Sequence, residues 1–135
     1  MAEGMVTIKI PADTKHIKQA ISKILGALNG RRISDDVIFD IRLCAEEAIK
    51  NAILHGDKGN SKLSVRISYA IAADKISIEV EDEGTGFDHK NSPDPTKEDN
   101  LMKTSGRGVY LIKKLMDSAE YNDAGNKITM IKRFK

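Results

Sequence analysis

Glu47 and Asn51 stand four residues apart in a stretch whose apolar residues recur at helical spacing, so their side chains leave the same face of one helix. A carboxylate beside an amide suits a pocket for a metal-bound triphosphate. The amide oxygen can ligate Mg2+, which prefers hard oxygen ligands and keeps several waters, and the carboxylate can orient or deprotonate an attacking hydroxyl. With Glu46 and Lys50 beside them, the same residues also suit a solvated polar helix face. A second cluster is Glu81-Asp82-Glu83-Gly84-Thr85-Gly86-Phe87. If Ile76, Ile78 and Val80 point toward the helices, so does Asp82 at the strand end, where an unpaired charge is costly. A ligand with an amino donor would satisfy it, the adenine N6 group being one candidate. Gly84 and Gly86 would let a flat base approach the backbone. Alone, D-x-G-x-G is equally a polar turn. The third cluster, Ser105-Gly106-Arg107-Gly108, leads into a helix whose free N–H groups and dipole make an anion site, with Lys103 and Arg107 as nearby cations. Alone it is equally a glycine-rich hinge or cap. Neither G-x-x-x-x-G-K-[ST] nor G-x-G-x-x-G occurs.

The elements that must hold these clusters follow from periodicity. Val6-Thr7-Ile8-Lys9-Ile10 alternates until Pro11, which predicts a short edge strand. Ile17, Ala20, Ile21, Ile24, Leu25 and Leu28 form one helical stripe ending near Asn29-Gly30. Ser34 with Asp35-Asp36 opens a second helix, whose core stripe is Ile38, Ile41, Ala45, Ala48, Ile49 and Ala52 and whose expected C-cap is Gly56. The period then becomes two: Leu63 to Ile71 and Ile76 to Val80 read as adjacent antiparallel strands around Ala72-Ala73-Asp74. Residues 84–106 show little periodicity and carry Pro93 and Pro95, which suits a functional lid or a disordered insert. A third helix is predicted from Arg107 to about Asp117. Two last strands, Ala119 to Asn122 and Lys127 to Phe134, are joined at Asp123-Ala124-Gly125-Asn126. These elements predict an α/β (α+β) two-layer sandwich: three helices over one mixed, mostly antiparallel sheet.

The length of 135 residues suits a single domain over residues 1–135, large enough to fold without disulfides. A net charge of +2, from 22 basic and 20 acidic residues, gives no reason to expect nucleic acid. The basic run Lys132-Arg133-Phe134-Lys135 reads as a solvated strand end. No apolar run approaches the ~20 residues of a membrane span, and Met1-Ala2-Glu3-Gly4-Met5 lacks the pattern of a signal peptide. Together with the single cysteine, Cys44, this suits a reducing cytoplasm.

The order of the three clusters resembles the ATPase superfamily that unites DNA gyrase, the heat-shock-90 chaperones, histidine kinases and the mismatch-repair ATPase. Glu47-Ala48-Ile49-Lys50-Asn51-Ala52 looks like its first ATP-binding box, Asp82-Glu83-Gly84-Thr85-Gly86 its second, and Ser105-Gly106-Arg107-Gly108 its third. Asn51-Ala52-Ile53-Leu54-His55-Gly56 is similar to one branch, the bacterial anti-sigma-factor serine/threonine kinases of sporulation and general stress. So are Asp94-Pro95-Thr96 with Asn100-Leu101, Gly106-Arg107-Gly108-Val109-Tyr110-Leu111, and Leu115-Met116-Asp117. The resemblance implies ATP or ADP with Mg2+ as cofactors, Asn51 on the metal, Asp82 on adenine, and residues Lys103, Thr104 and Ser105 through Val109 on the phosphates. Thr129 would stand near the adenine-site water. Strand parity leaves open whether Thr129 and Ile131, or Ile128 and Met130, face inward. Lys103-Thr104 departs from members that carry an arginine just before the third box. No phosphoacceptor helix pair is expected ahead of the domain.

The resemblance implies phosphoryl transfer from ATP to an anti-anti-sigma-factor protein, with Glu47 as base, sequestration of a sigma factor, and a homodimer paired through the first strand. No membrane partner is expected. Two alternatives stay open: a nucleotide-dependent partner-switching module with little or no catalysis, and a histidine-kinase-like domain acting on a separate protein.

Overall fold

The computed structural model describes residues 5–58, 60–84 and 104–135, with the backbone alone for residues 104–107. Gly86, Lys103 and the lid residues Asp94, Pro95, Thr96, Asn100 and Leu101 lie outside the described residues, as do the side chains of Thr104, Ser105 and Arg107. Strand β1 is Val6–Pro11. A single 3-10 turn, Thr14–His16, leads into α1, Ile17–Leu28, and α2 is Asp35–Asn51. Strands β2, Ser64–Ile71, and β3, Lys75–Asp82, follow, then α3, Thr104–Leu115, β4, Ser118–Tyr121, and β5, Lys127–Arg133.

The sheet order is β1-β2-β3-β5-β4, with β1 and β4 at the edges. All its recorded pairings are antiparallel, so the sheet is antiparallel rather than mixed. Register puts Ile10 beside Val65 and Val65 beside Asp82, and Val80 beside Ile128. Alternation then sends Ile8, Ile10, Val65, Ile67, Tyr69, Ile76, Ile78, Val80, Ile128 and Met130 to one buried face. The helices cover that face: Ala20, Ile21, Ile24 and Leu28 from α1, Ile41, Cys44, Ala45, Ala48 and Ile49 from α2, and Ile112 from α3 complete one core. Burial pushes the Cys44 thiol up to about 12, with the Asp40 charge adding to the effect, which leaves it a packing residue and a poor nucleophile.

The helix starts obey local chemistry. Ser34 Oγ accepts from the Val37 N–H at 3.3 Å, and Asp35 and Asp36 occupy the first turn of α2. The end of α2 differs from the expected glycine cap. A π-helical turn, Ala52–Gly56, continues the chain, and the Asp57 N–H donates to the Ala52 carbonyl at 2.8 Å. Gly56 is absent from the positive-φ residues, which include Gly30 at 85° and Gly125 at 76°. What requires a glycine there is a close approach, described below. Helix α3 starts at Thr104, three residues before the predicted Arg107, so Gly106 and Gly108 lie inside its first turns. The C-terminal basic run is a solvated end only in part: Arg133 and Lys135 are exposed, whereas Lys132 Nζ pairs with Asp40 Oδ2 at 3.1 Å and donates to the Leu115 carbonyl at 2.7 Å, closing the C-terminus of α3, and Phe134 is buried.

Candidate functional site

Asn51 and Glu47 share the face of α2 that meets α3. A Cβ built on Gly108 would stand 2.5 Å from Glu47 Oε2 and 2.8 Å from Asn51 Nδ2. The helices therefore approach closely enough there that a larger residue would have to displace the ends of the Glu47 and Asn51 side chains. Asn51 is 7% exposed, yet neither its Oδ1 nor its Nδ2 has a hydrogen-bond partner among the described residues. A buried amide with both ends unmet costs a few kcal/mol, and a hard cation with its waters would satisfy the oxygen. The chemistry of the donor thus fits Mg2+. Glu47 Oε1 is engaged by Lys50 Nζ at 3.0 Å.

Helix α3 begins beside this pair. Its first four N–H groups, those of Thr104 to Arg107, have no carbonyl one turn earlier in the helix to accept them, so residues 104–107 carry the anion-attracting end. Val109 is half-buried one residue past Gly108.

Asp82 closes the other end of the site. It is the last residue of β3, on the helix-facing side as strand parity predicts, and is 8% exposed. Its Oδ1 accepts from the Gly84 N–H at 2.9 Å. Burial, against that hydrogen bond and together with the charges of Asp57 and Glu81, raises its carboxyl to about 6. A Cβ on Gly56 would collide with the Asp82 carboxylate, and one on Gly84 with the Gly56 carbonyl. These two glycines let the π-helical turn and the end of β3 close on each other. Asn126 braces the same strand end: the Asp82 N–H donates to the Asn126 carbonyl at 2.9 Å, and Asn122 Oδ1 holds the hairpin by accepting from Asn126 and Lys127.

Thr129 is not brought into this site. Ile128 and Met130 are the buried pair, so Thr129 faces the opposite side of the sheet, between Glu79 and Glu120. Residues that the sequence reading missed also stand at the Asp82 end. Tyr121 is close enough for Asp82's charge to add to burial in pushing its phenol up to about 12. Asp57, 2% exposed, accepts from the Glu83 N–H at 2.8 Å through Oδ1, while its Oδ2 has no partner among the described residues. A lone Asp after His55-Gly56 gave no periodic signal; the available cue was an acid directly after a glycine that ends a helical stripe.

The model of the histidine kinase-like ATPase domain matches residues 10–132. This chain belongs to the histidine kinase-like ATPase family. The serine-protein kinase RsbW of Listeria monocytogenes serotype 4a (strain HCC23) is 30% identical over 134 residues, covering 94% of this chain and 85% of that protein. The RsbW of Staphylococcus aureus (strain JH9) is 28% identical over 141 residues, covering 98% and 89%. These likenesses place the chain in the anti-sigma serine kinase branch of the histidine kinase-like ATPases, a branch of protein serine kinases. A crystal structure of RsbU and RsbW domains from Mycobacterium tuberculosis matches with a TM-score of 0.65 and 16% identity over 97% of this chain. The chain spans 32% of that longer solved chain, and this likeness concerns the fold. A histidine kinase-like ATPase domain binds nucleotide, and the π-helical turn 52–56 that follows Asn51 comes against the Asp82 carboxylate at Gly56. Among the described residues no helix is long and apolar enough to cross a membrane.

Proposed function

We propose that this chain is a cytoplasmic, ATP-dependent protein serine/threonine kinase that switches partners. It phosphorylates an anti-anti-sigma-factor protein and, in another nucleotide state, sequesters a sigma factor. The observation that carries the site assignment is the buried, unpartnered amide of Asn51 beside Glu47 and Gly108. Asn51 would hold the metal through Oδ1, and Asp82 would accept from the adenine amino group. The first-turn N–H groups of α3 would receive phosphate oxygens. Mg2+ would supply positive charge to the phosphates and order them. Glu47 would take the proton from the partner's hydroxyl as it attacks. The edge strand β1, with Met5 and Val6 exposed at its start, supports a homodimer paired along that strand.

The binding-module reading has one observation on its side: Glu47 Oε1 is already paired with Lys50, and a carboxylate held in an ion pair is less free to accept a proton. Incubation with γ-labelled ATP and a candidate anti-anti-sigma partner separates the two. Label on a partner serine or threonine supports the kinase. Nucleotide-dependent binding without label transfer supports the switch.

A further inference from the structure

Asp57 is a buried carboxylate that the roles above leave unused. It follows the π-helical turn directly, and its Oδ1 accepts from the Glu83 N–H at 2.8 Å, which fixes the side chain against the turn after Asp82. The Asp82 carboxylate lies against Gly56, the residue before it, and Gly84 packs on the Gly56 carbonyl. Two acidic side chains thus share one corner, and the charge of Asp57 contributes to the raised carboxyl of Asp82. Burial likewise raises Asp57, against the hydrogen bond from Glu83. An arrangement of this kind is costly in the free protein. Asp57 Oδ2 is buried and meets no donor among the described residues, although buried acceptors are nearly always paired. A purely structural clasp on Glu83 would need only one oxygen.

We propose that Asp57 is a specificity-determining residue of the nucleotide site, which together with Asp82 takes both hydrogens of the exocyclic amino group of the base: Asp82 accepts one, and Asp57 Oδ2 accepts the other directly or across one water. This rests on the nucleotide-site reading above. Thr129, which faces the opposite side of the sheet, leaves this polar role at the base open, and Asp57 fills it from the helix side. A purine with a 6-oxo group would present an acceptor to two carboxylates and be rejected by both.

The test is a calorimetric comparison of ADP, IDP and N6-methyl-ADP on the wild type and on Asp57→Asn, whose amide oxygen can still accept from Glu83. Wild type should bind ADP and lose about tenfold or more with N6-methyl-ADP, which has one amino hydrogen left. Asp57→Asn should weaken ADP about tenfold to a hundredfold and narrow the preference for ADP over IDP. Wild type binding N6-methyl-ADP as tightly as ADP overturns the proposal, whether or not the variant folds. A folded Asp57→Asn that keeps wild-type ADP affinity, or that loses ADP and IDP equally, also overturns it. A wild type that binds no adenine nucleotide sinks the site reading itself, and this proposal with it.

Discussion

Asp82 places function and stability in opposition, and Asp82→Asn separates them. Its carboxyl is raised from 3.8 to about 6, first by burial. The folded protein therefore holds the proton more tightly than the unfolded chain does. The resulting stability is fully present below pH 3.8 and is lost as pH rises through 6. The gap between 3.8 and about 6 corresponds to about 3 kcal/mol at pH 7, of which only about 0.6 kcal/mol has been lost by pH 4. An asparagine does not titrate and can still accept from the Gly84 N–H, but it buries an amide NH2 whose unmet cost, roughly 1–3 kcal/mol, is independent of pH. The pH-dependent part is therefore the diagnostic one. Relative to wild type, Asp82→Asn should gain about 2 kcal/mol between pH 4 and pH 7 in urea unfolding followed by circular dichroism. It should also lose ADP binding by calorimetry, because the anionic acceptor is gone. A stability difference that is the same at both pH values would refute the reasoning: the carboxylate would then not be ionised against its surroundings.

Glu47→Gln should keep ATP affinity within a few-fold and lose about 10²–10⁴ of the phosphoryl-transfer rate, while Glu46→Gln, one residue earlier on the helix, stays near wild type; an inactive Glu46→Gln would reverse the assignment. Gly108→Ala directs its methyl at the far ends of Glu47 and Asn51, so stability should change by less than about 1 kcal/mol while turnover falls about a hundredfold from misplacement of those groups; an active variant would show that the Glu47–Asn51 geometry is not used. Asn51→Ala should remove the Mg2+ dependence of ATP binding, and wild-type binding indifferent to EDTA would contradict the role given to that amide. Light scattering at tens of micromolar should give a dimeric mass, and disruption of β1 by Ile8→Pro should give a monomer; a monomeric wild type, with and without nucleotide, would count against pairing through β1.

What was legible in the sequence had a local cause. The inward side of Asp82 followed from Ile76, Ile78 and Val80, because a strand has a strict period of two and burial fixes its phase. The start of α2 followed from Ser34, whose hydroxyl meets the Val37 N–H. What was not legible had its cause elsewhere in the chain. Thr129 and Ile128 alternate with apolar neighbours on both sides, so the phase of β5 could not be read from its own residues. The pairing of Val80 with Ile128 sets it. The expected start of α3 at Arg107 followed the reading of Ser105-Gly106-Arg107-Gly108 as a cluster leading into the helix, yet the helix begins at Thr104; the close seat of Gly108 on Glu47 and Asn51 shows a packing demand that overrides propensity.

Gly56 shows how one residue type can be foreseen for the wrong reason. A glycine at the end of a helical stripe suggests a left-handed cap, but Gly56 is not among the positive-φ residues, and the chain runs through a π-helical turn instead. The missing side chain matters because the Asp82 carboxylate, 26 positions later, occupies the space a Cβ would take. A local motif and a tertiary contact thus make the same demand on sequence, glycine, with different consequences. Alanine at a left-handed cap costs about 1 kcal/mol of strain, whereas alanine at Gly56 would drive apart the π-helical turn and the carboxylate proposed to select the base. The glycines at positions 56, 84 and 108 therefore mark the places where helix and strand, or helix and helix, come close enough to gather the carboxylates and the amide of the proposed nucleotide site.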